Sequence, residues 1–423
     1  MRPPGIAIAA LCALVCSVPQ ALADDPDTGS AADVLTRARP EYDARGVRIG
    51  SFFMYPSLAA GVGYTDNVFN DSTKTTSDYF YTVSPLLRLQ SSWSRHELLL
   101  TAAAKTYSFS NQGSEDRTDL DFGLSARIDI VRGTDIKANA HYLDQHEPRG
   151  TDVTGGLDAT DPAEPTPYTR TGFGAEINHT LNRVRLSLGA SLDDYDFEDV
   201  QRVDGGAPAF NNDDRDRTVT EVFVKAATEV SSDTAVFLRG RIDEHDYVDA
   251  VDDAGHNRDS SGVGIDGGLE FQMTHMLEGE VFAGYTLRSF DDTTFADAAE
   301  LAFGAGLKWF PTMLTTISVD AARAIEDTSI GSASGYVSTR GEVGVDHELL
   351  RNVILSGRLG YENASYLDIT RNDDILHGSL GGRFLINNNL HFDAGWEFVN
   401  RNSNDLGFEY SSGQFQFSLT GKM

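Results

Sequence analysis

The chain has 423 residues, 40% of them hydrophobic, with 64 acidic against 34 basic side chains and a formal net charge of −30. That charge excludes nucleic acid as a partner, because a phosphate backbone would be repelled. A mean hydropathy of −0.29 and the lack of any run of about 18 apolar residues beyond the N-terminus exclude a bundle of membrane helices. They leave open a barrel, in which only every second strand residue meets lipid.

Residues 1–23 read as a cleaved leader. Arg2 is the positive start, an apolar stretch covers residues 5–18, and Ala21-Leu22-Ala23 is the cleavage signature. A lipoprotein reading through Cys16 is weaker, because Val15 before it is not small. Cys12 and Cys16 are the only cysteines, so the remaining chain carries neither a disulfide framework nor thiolate chemistry. Residues 24–47 are polar, with Pro26, Gly29 and Pro40, and are expected to be a flexible periplasmic extension.

From residue 48 to 423 the chain repeats as hairpins. Short turns are expected at 91–95, 131–134, 181–183, 231–234, 274–277, 311–314, 349–352 and 387–389. Between them lie longer connections rich in Asp, Asn, Gly and Ser, at 66–78, 111–117, 147–167, 198–214, 249–259, 291–296, 327–334, 368–372 and 402–407. Eight turns and nine loops join eighteen strands. An even number puts both termini on one side, with short turns in the periplasm and long acidic loops outside. The fold expected is therefore all-β: an antiparallel transmembrane β-barrel integral to a bacterial outer membrane. A propeller has a similar period, but it fits four short strands into each repeat where this chain shows two long ones.

Alternation marks the strands. Leu120, Phe122, Leu124, Ala126, Ile128 and Ile130 oppose Asp121, Ser125, Arg127 and Asp129. Val353, Leu355, Leu359 and Tyr361 oppose Ser356, Arg358 and Glu362. In the last stretch, 411–423, Phe415, Phe417 and Leu419 alternate with Gln414, Gln416, Ser418 and Thr420. This strand is expected to pair with the one holding Leu58, Ala60, Val62 and Tyr64, and to be the signal read by the barrel-assembly machinery. Aromatic residues near the long loops, among them Tyr64, Tyr79, Phe80, Tyr107, Tyr195 and Phe197, are expected to form a girdle at the lipid interface.

Residues 39–69, RPEYDARGVRIGSFFMYPSLAAGVGYTDNVF, resemble the start of the barrel in the "Putative beta-barrel porin 2" family. The matching features are Arg39-Pro40-Glu41-Tyr42-Asp43, the run from Gly46 to Phe52, Tyr55-Pro56-Ser57-Leu58, and Gly63-Tyr64-Thr65-Asp66-Asn67-Val68-Phe69. The resemblance implies an outer-membrane barrel. It brings an association of some members with exopolysaccharide synthesis and export, and no catalytic residues to carry over.

Charged residues of both signs on the polar faces are expected to line the pore, since an Arg or Lys facing lipid at mid-depth costs about 2–4 kcal/mol. They are Arg127, Arg185, Lys225, Arg239, Arg241, Glu270, Arg288, Arg340, Glu342, Arg358, Glu362, Arg383, Asp393 and Glu397. The reading is a channel for hydrated solutes, with saccharide or exopolysaccharide as cargo on the family resemblance. Its partners are outer-membrane lipid, the barrel-assembly machinery and polysaccharide-export components; no cofactor or metal is expected. Two alternatives stand beside it. One is a non-conducting structural or surface barrel with acidic loops such as 211–214 and 249–259. The other is a barrel hydrolase using His377 and Ser379, which share a strand face, with Asp393 and Glu397 on the next strand.

Overall fold

A computed structural model describes residues 33–150, 161–206, 210–273, 276–405 and 407–423. The expected leader lies outside the described residues. A three-residue strand, β1 (Val47–Ile49), makes a tight hairpin with the start of β2 (Phe52–Thr65). After β2 come β3 (Asp78–Ser91), β4 (His96–Phe109), β5 (Arg117–Val131), β6 (Thr134–His146), β7 (Pro167–Leu181), β8 (Val184–Phe197), β9 (Arg217–Ser231) and β10 (Thr234–Tyr247). The second half has β11 (Ser260–Met273), β12 (Leu277–Phe290), β13 (Ala298–Thr312), β14 (Thr315–Glu326), β15 (Tyr336–Leu350), β16 (Val353–Tyr366), β17 (Asn372–Asn387), β18 (Leu390–Ser403) and β19 (Tyr410–Lys422).

Each long strand pairs antiparallel with its sequence neighbours, and β19 pairs with β2 from Gln414 opposite Thr65 to Lys422 opposite Ser57. The eighteen strands β2–β19 therefore close into a barrel in the register expected from the last stretch. Closure is physically required: inside a bilayer an unpaired strand edge has no water to satisfy its amides and carbonyls. Strands of 12 to 16 residues are long enough to cross the hydrocarbon at a tilt. With ordinary strand spacing and tilt, eighteen strands give a backbone diameter of about 35 Å.

The strand period of two decides which side chains meet lipid. On β11, Val263 and Ile265 are 57% and 58% exposed, whereas Asp266 and Glu270, which follow on the other face, are 2% and 3% exposed. The apolar set faces outward and the charged set inward. Backbone can approach closely where the inner face is glycine: a Cβ on Gly63 of β2 would stand 2.1 Å from the Phe80 ring, so Phe80 lies flat against the wall.

The two ends of the barrel differ in charge. The long connections hold Asp213, Asp214, Asp249, Asp252, Asp253, Asp291 and Asp292. The short turns hold Arg95, Arg132, Arg183 and Arg351 against Asp233.

Two expectations need correction. The aromatic residues near the long loops do not all form an outer girdle. Tyr64 and Tyr79 do face outward, with ring centroids 5.2 Å apart. Phe80, Tyr107, Tyr195 and Phe197 have inward parity and are 6% exposed or less. Guanidinium groups cover three of these rings, Arg117 over Tyr107 at 4.3 Å, Arg217 over Tyr195 at 4.6 Å and Arg215 over Phe197 at 4.0 Å, and Phe80 packs on Tyr107, so the four build an inner collar under the loops. Nor is the described part of the N-terminal extension free of the barrel. Val34 is 1% exposed and buried against Ile354 and Leu385 of the inner wall.

Candidate functional site

The lumen is the concave surface on which the strands gather polar side chains. All fourteen charged residues expected to line it are on inward faces, placed there by strand parity alone. Arg127 sits opposite Lys137 and pairs with Asp129 of its own strand at 3.4 Å.

The densest charge is on β8–β12. Lys225 of β9 lies between Glu270 of β11 at 2.7 Å and Glu280 of β12 at 2.5 Å. Arg185 of β8 pairs with the same Glu270. Arg239 of β10 contacts Asp266 at 2.9 Å, and Arg241 donates to the Thr286 hydroxyl at 2.9 Å. Toward the loops, Arg288 of β12 meets Asp243 at 2.5 Å and the Ser260 hydroxyl at 3.0 Å. Cations mainly from β8–β10 and acids mainly from β11 and β12 thus form one lattice in which each cation has an acidic or hydroxyl partner. Burial of these side chains is tolerable only because of that pairing.

A second charged wall runs along β15–β18. Arg358 and the Ser356 hydroxyl both bind Asp346, at 2.8 and 2.6 Å. Ser338 donates to Glu362 at 2.6 Å, and Arg340 stands opposite Glu362 in the ladder. Arg383 meets Asp393 at 2.6 Å, and Glu397 lies opposite Ser379.

Along β19, β2 and β3 the inner wall is uncharged over most of its height. Gln414, Gln416, Ser418 and Thr420 of β19 face inward beside Thr82 and Ser84 of β3, and Gln416 donates to the Thr82 hydroxyl at 3.1 Å. In a ring of eighteen, β2 is nine strands from β11. The amide and hydroxyl wall therefore stands across the lumen from the ion lattice.

At the loop end the bore is narrowed from within. Asp327, just past β14, reaches Arg217 of β9 and His245 of β10, both at 2.9 Å. Those partners are five and four strands away around the ring. Burial pushes the Asp327 carboxyl up, but His245 and Arg217 outweigh it and hold it well below the usual carboxylate range. Arg258, buried on the β10–β11 connection, pairs with Asp252 at 2.7 Å and donates to the carbonyls of Ile330 and Ala333, which holds the β14–β15 connection inward. On another side Arg149 is buried against Glu115 at 2.7 Å, and Arg401 of β18 donates to the Gly150 carbonyl. Sequence reasoning missed these loop arginines. The available signal was cations, Arg149 and Arg258, set in otherwise acidic connections.

The hydrolase constellation is not assembled. The His377 Nε2 is 3.0 Å from Glu342 of β15, and no hydrogen bond joins it to Ser379 among the described residues. Asp393 is committed to Arg383 and to His391 at 3.2 Å. Among the described residues no group of three or more acidic or histidine side chains is arranged to hold a metal ion, the acidic loops included. Part of the β6–β7 connection, with Asp152 and Asp158, lies outside the described residues.

Solved structures similar to this chain are large outer-membrane barrels. OpdL of Pseudomonas aeruginosa shares 10% identity at a TM-score of 0.44, over 89% of this chain and 99% of its own. A BenF-like porin from Pseudomonas fluorescens Pf-5 shares 12% at 0.43, over 88% and 99%. The ferric enterobactin receptor PfeA of Pseudomonas aeruginosa shares 7% at 0.44, over 88% and 80%. No curated protein matches the chain by sequence. The "Putative beta-barrel porin 2" family model matches residues 39–423, which takes in every strand of the barrel. With its closed ring of eighteen strands, apolar outside and charged inside, the chain belongs to this porin family and is an integral protein of the bacterial outer membrane.

Proposed function

We propose that the barrel is a passive channel for hydrated, hydroxyl-bearing solutes, with saccharides as the class. The observation that carries this is the division of the lumen into unlike walls. The charges of β8–β12 are already committed to one another, so they polarise the bore without trapping a counter-ion at one point. Across from them, the amides and hydroxyls of Gln414, Gln416, Ser418, Thr82 and Ser84 both donate and accept. Such a wall exchanges hydrogen bonds with a sugar as readily as with water. In this reading the fourteen charged residues are the pore lining. Passage of a secreted polysaccharide to export components is the long-chain form of the same transport and rests on the family resemblance alone. The β19 residues Phe415, Phe417 and Leu419 would be the signal for barrel assembly.

The test is single-channel recording of the purified protein in planar bilayers, first in KCl and then with maltohexaose. Discrete single-channel steps that the neutral sugar blocks transiently are expected. Steps unaffected by sugar would overturn the saccharide class, and a silent membrane holding heat-modifiable protein would overturn the channel. A silent membrane would favour the closed structural barrel, the reading to which the inward reach of Asp327 gives some support.

A further inference from the structure

A polar lumen gives no reason for aliphatic side chains on its wall. Ile354 of β16 and Leu385 of β17 nevertheless have inward parity near the short turns, on strands whose inward neighbours are Ser356, Arg358 and Arg383. They are 3% and 5% exposed because Val34 covers them, with Leu35 and Tyr42 packed at the rim.

Polar contacts fix the same segment. The Val34 amide donates to the Thr316 hydroxyl at 3.0 Å, and Asp33 pairs with Lys308 at 3.1 Å. Arg37 and Arg39 converge on one carboxylate, Glu348, with Arg39 at 2.9 Å. Two turns, from the Arg37 amide to the Asp33 carbonyl and from the Asp43 amide to the Arg39 carbonyl, both 2.7 Å, fold residues 33–43 into a compact knob. The contacts come from five neighbouring strands, β13 to β17.

From that dock the chain returns to β1 and β2. Gly46, at φ +68°, carries it past the Tyr55 ring, where any side chain would collide. The dock at β14 is six strands from β2 in a ring of eighteen, a third of the circumference. Residues 33–46 thus follow the inner wall of the mouth at the short-turn end over about a third of the ring.

We propose that residues 33–43 are a lumenal strap, seated in the Ile354–Leu385 pocket, that occludes part of the periplasmic opening and sets the conductance of the docked state. The inference rests on the channel reading above. The seat combines an aliphatic key with two guanidinium groups on one carboxylate, so it is a latch that can be undone by a single charge in the pocket.

Two variants of the full chain, recorded in planar bilayers, test it. Val34→Asp places a carboxylate against Ile354 and Leu385 and is expected to raise single-channel conductance at least twofold over wild type. Val34→Cys/Ile354→Cys, in a chain whose other cysteines are confined to the expected leader, pins the strap when oxidised. The pinned form is expected to stay at the wild-type level, while the reduced form shows openings to the higher level. If Val34→Asp gives no heat-modifiable barrel, the cysteine pair decides alone, and identical traces before and after reduction overturn the strap. Equal, non-zero conductance in every form overturns the strap and leaves the channel standing. Silence in every form, Val34→Asp included, overturns both.

Discussion

Adjacent residues in the middle of β19 offer a direct test of which face meets lipid. Phe417 is 48% exposed on the outer face and stacks on Phe392 with ring centroids 6.3 Å apart. Gln416 is 8% exposed on the inner face, with Gly395 and Gly63 as its cross-strand neighbours. An arginine at position 417 would sit in hydrocarbon near mid-depth, at a cost of about 2–4 kcal/mol. The same arginine at 416 would lose the hydrogen bond to Thr82, worth about 1 kcal/mol, and keep its charge in the lumen. Phe417→Arg is therefore expected to be less stable than Gln416→Arg by about 2 kcal/mol, a factor of about 30 in the folded-to-unfolded ratio. Urea unfolding in phosphatidylcholine vesicles measures this, followed by tryptophan fluorescence and checked by heat-modifiable gel migration. Trp396, 6.1 Å from the Phe415 ring, is a reporter at the site. Equal costs, or a greater cost at 416, would refute the assigned faces and with them the lumen described here.

Removing residues 414–423 deletes nine register pairs with β2 and eight with β18. At about 1 kcal/mol net per backbone hydrogen bond, that loss equals or exceeds the ordinary stability of a whole domain. The truncated chain is expected to show no heat-modifiable form, and a normal gel shift would contradict barrel closure at this seam. Asp266→Asn takes the nearest carboxylate from Arg239. Reversal potentials in a tenfold KCl gradient are expected to move toward chloride, and an unchanged potential would remove the ion lattice from the permeation path. Outside the strands, burial and then repulsion from Asp196, Asp213 and Asp194 raise the Asp216 carboxyl to about 6, although the Phe197 amide pulls it down. The folded chain holds this proton more tightly than the unfolded one, so the contribution of Asp216 to stability is fully present at low pH. It is lost as pH rises from the ordinary aspartate range through about 6. Asp216→Asn is expected to match wild type near pH 4 and to melt higher near pH 7; a constant difference across that range would rule this out.

Much of the barrel was legible because two short rules act on every strand. Alternation put Val263 and Ile265 outside and Asp266 inside, and one sign of exposure settles the whole strand. Turn chemistry at Asn182-Arg183 or Asn387 marks the ends independently of packing. The pairing of Phe417 with Val62 follows once every other strand has its neighbours. The interior furnishing was not legible for the opposite reason. Asp327 reaching His245, or Arg401 reaching Gly150, depends on a connection folding onto a distant strand, and no periodicity announces a single long-range contact. The collar was misread because Phe80 and Tyr79 are both aromatic and adjacent, so composition near a strand end cannot tell which of them faces lipid. Ile354 and Leu385 did carry a signal: aliphatic side chains where parity calls for polar ones mark a wall that something covers.

The sorting of fixed charge between the two rims has a consequence of its own. Acid gathers on the long connections, and Arg95, Arg132, Arg183 and Arg351 gather on the short turns. The barrel is thus an electret, with a permanent axis along its bore. Mobile cations are enriched at the outer rim and depleted at the inner one. Current driven in one direction draws on a filled reservoir, and current driven in the other draws on a depleted one. A conducting barrel of this kind is expected to pass unequal currents at opposite voltages, and the sign of the asymmetry would report which way round it sits in a bilayer.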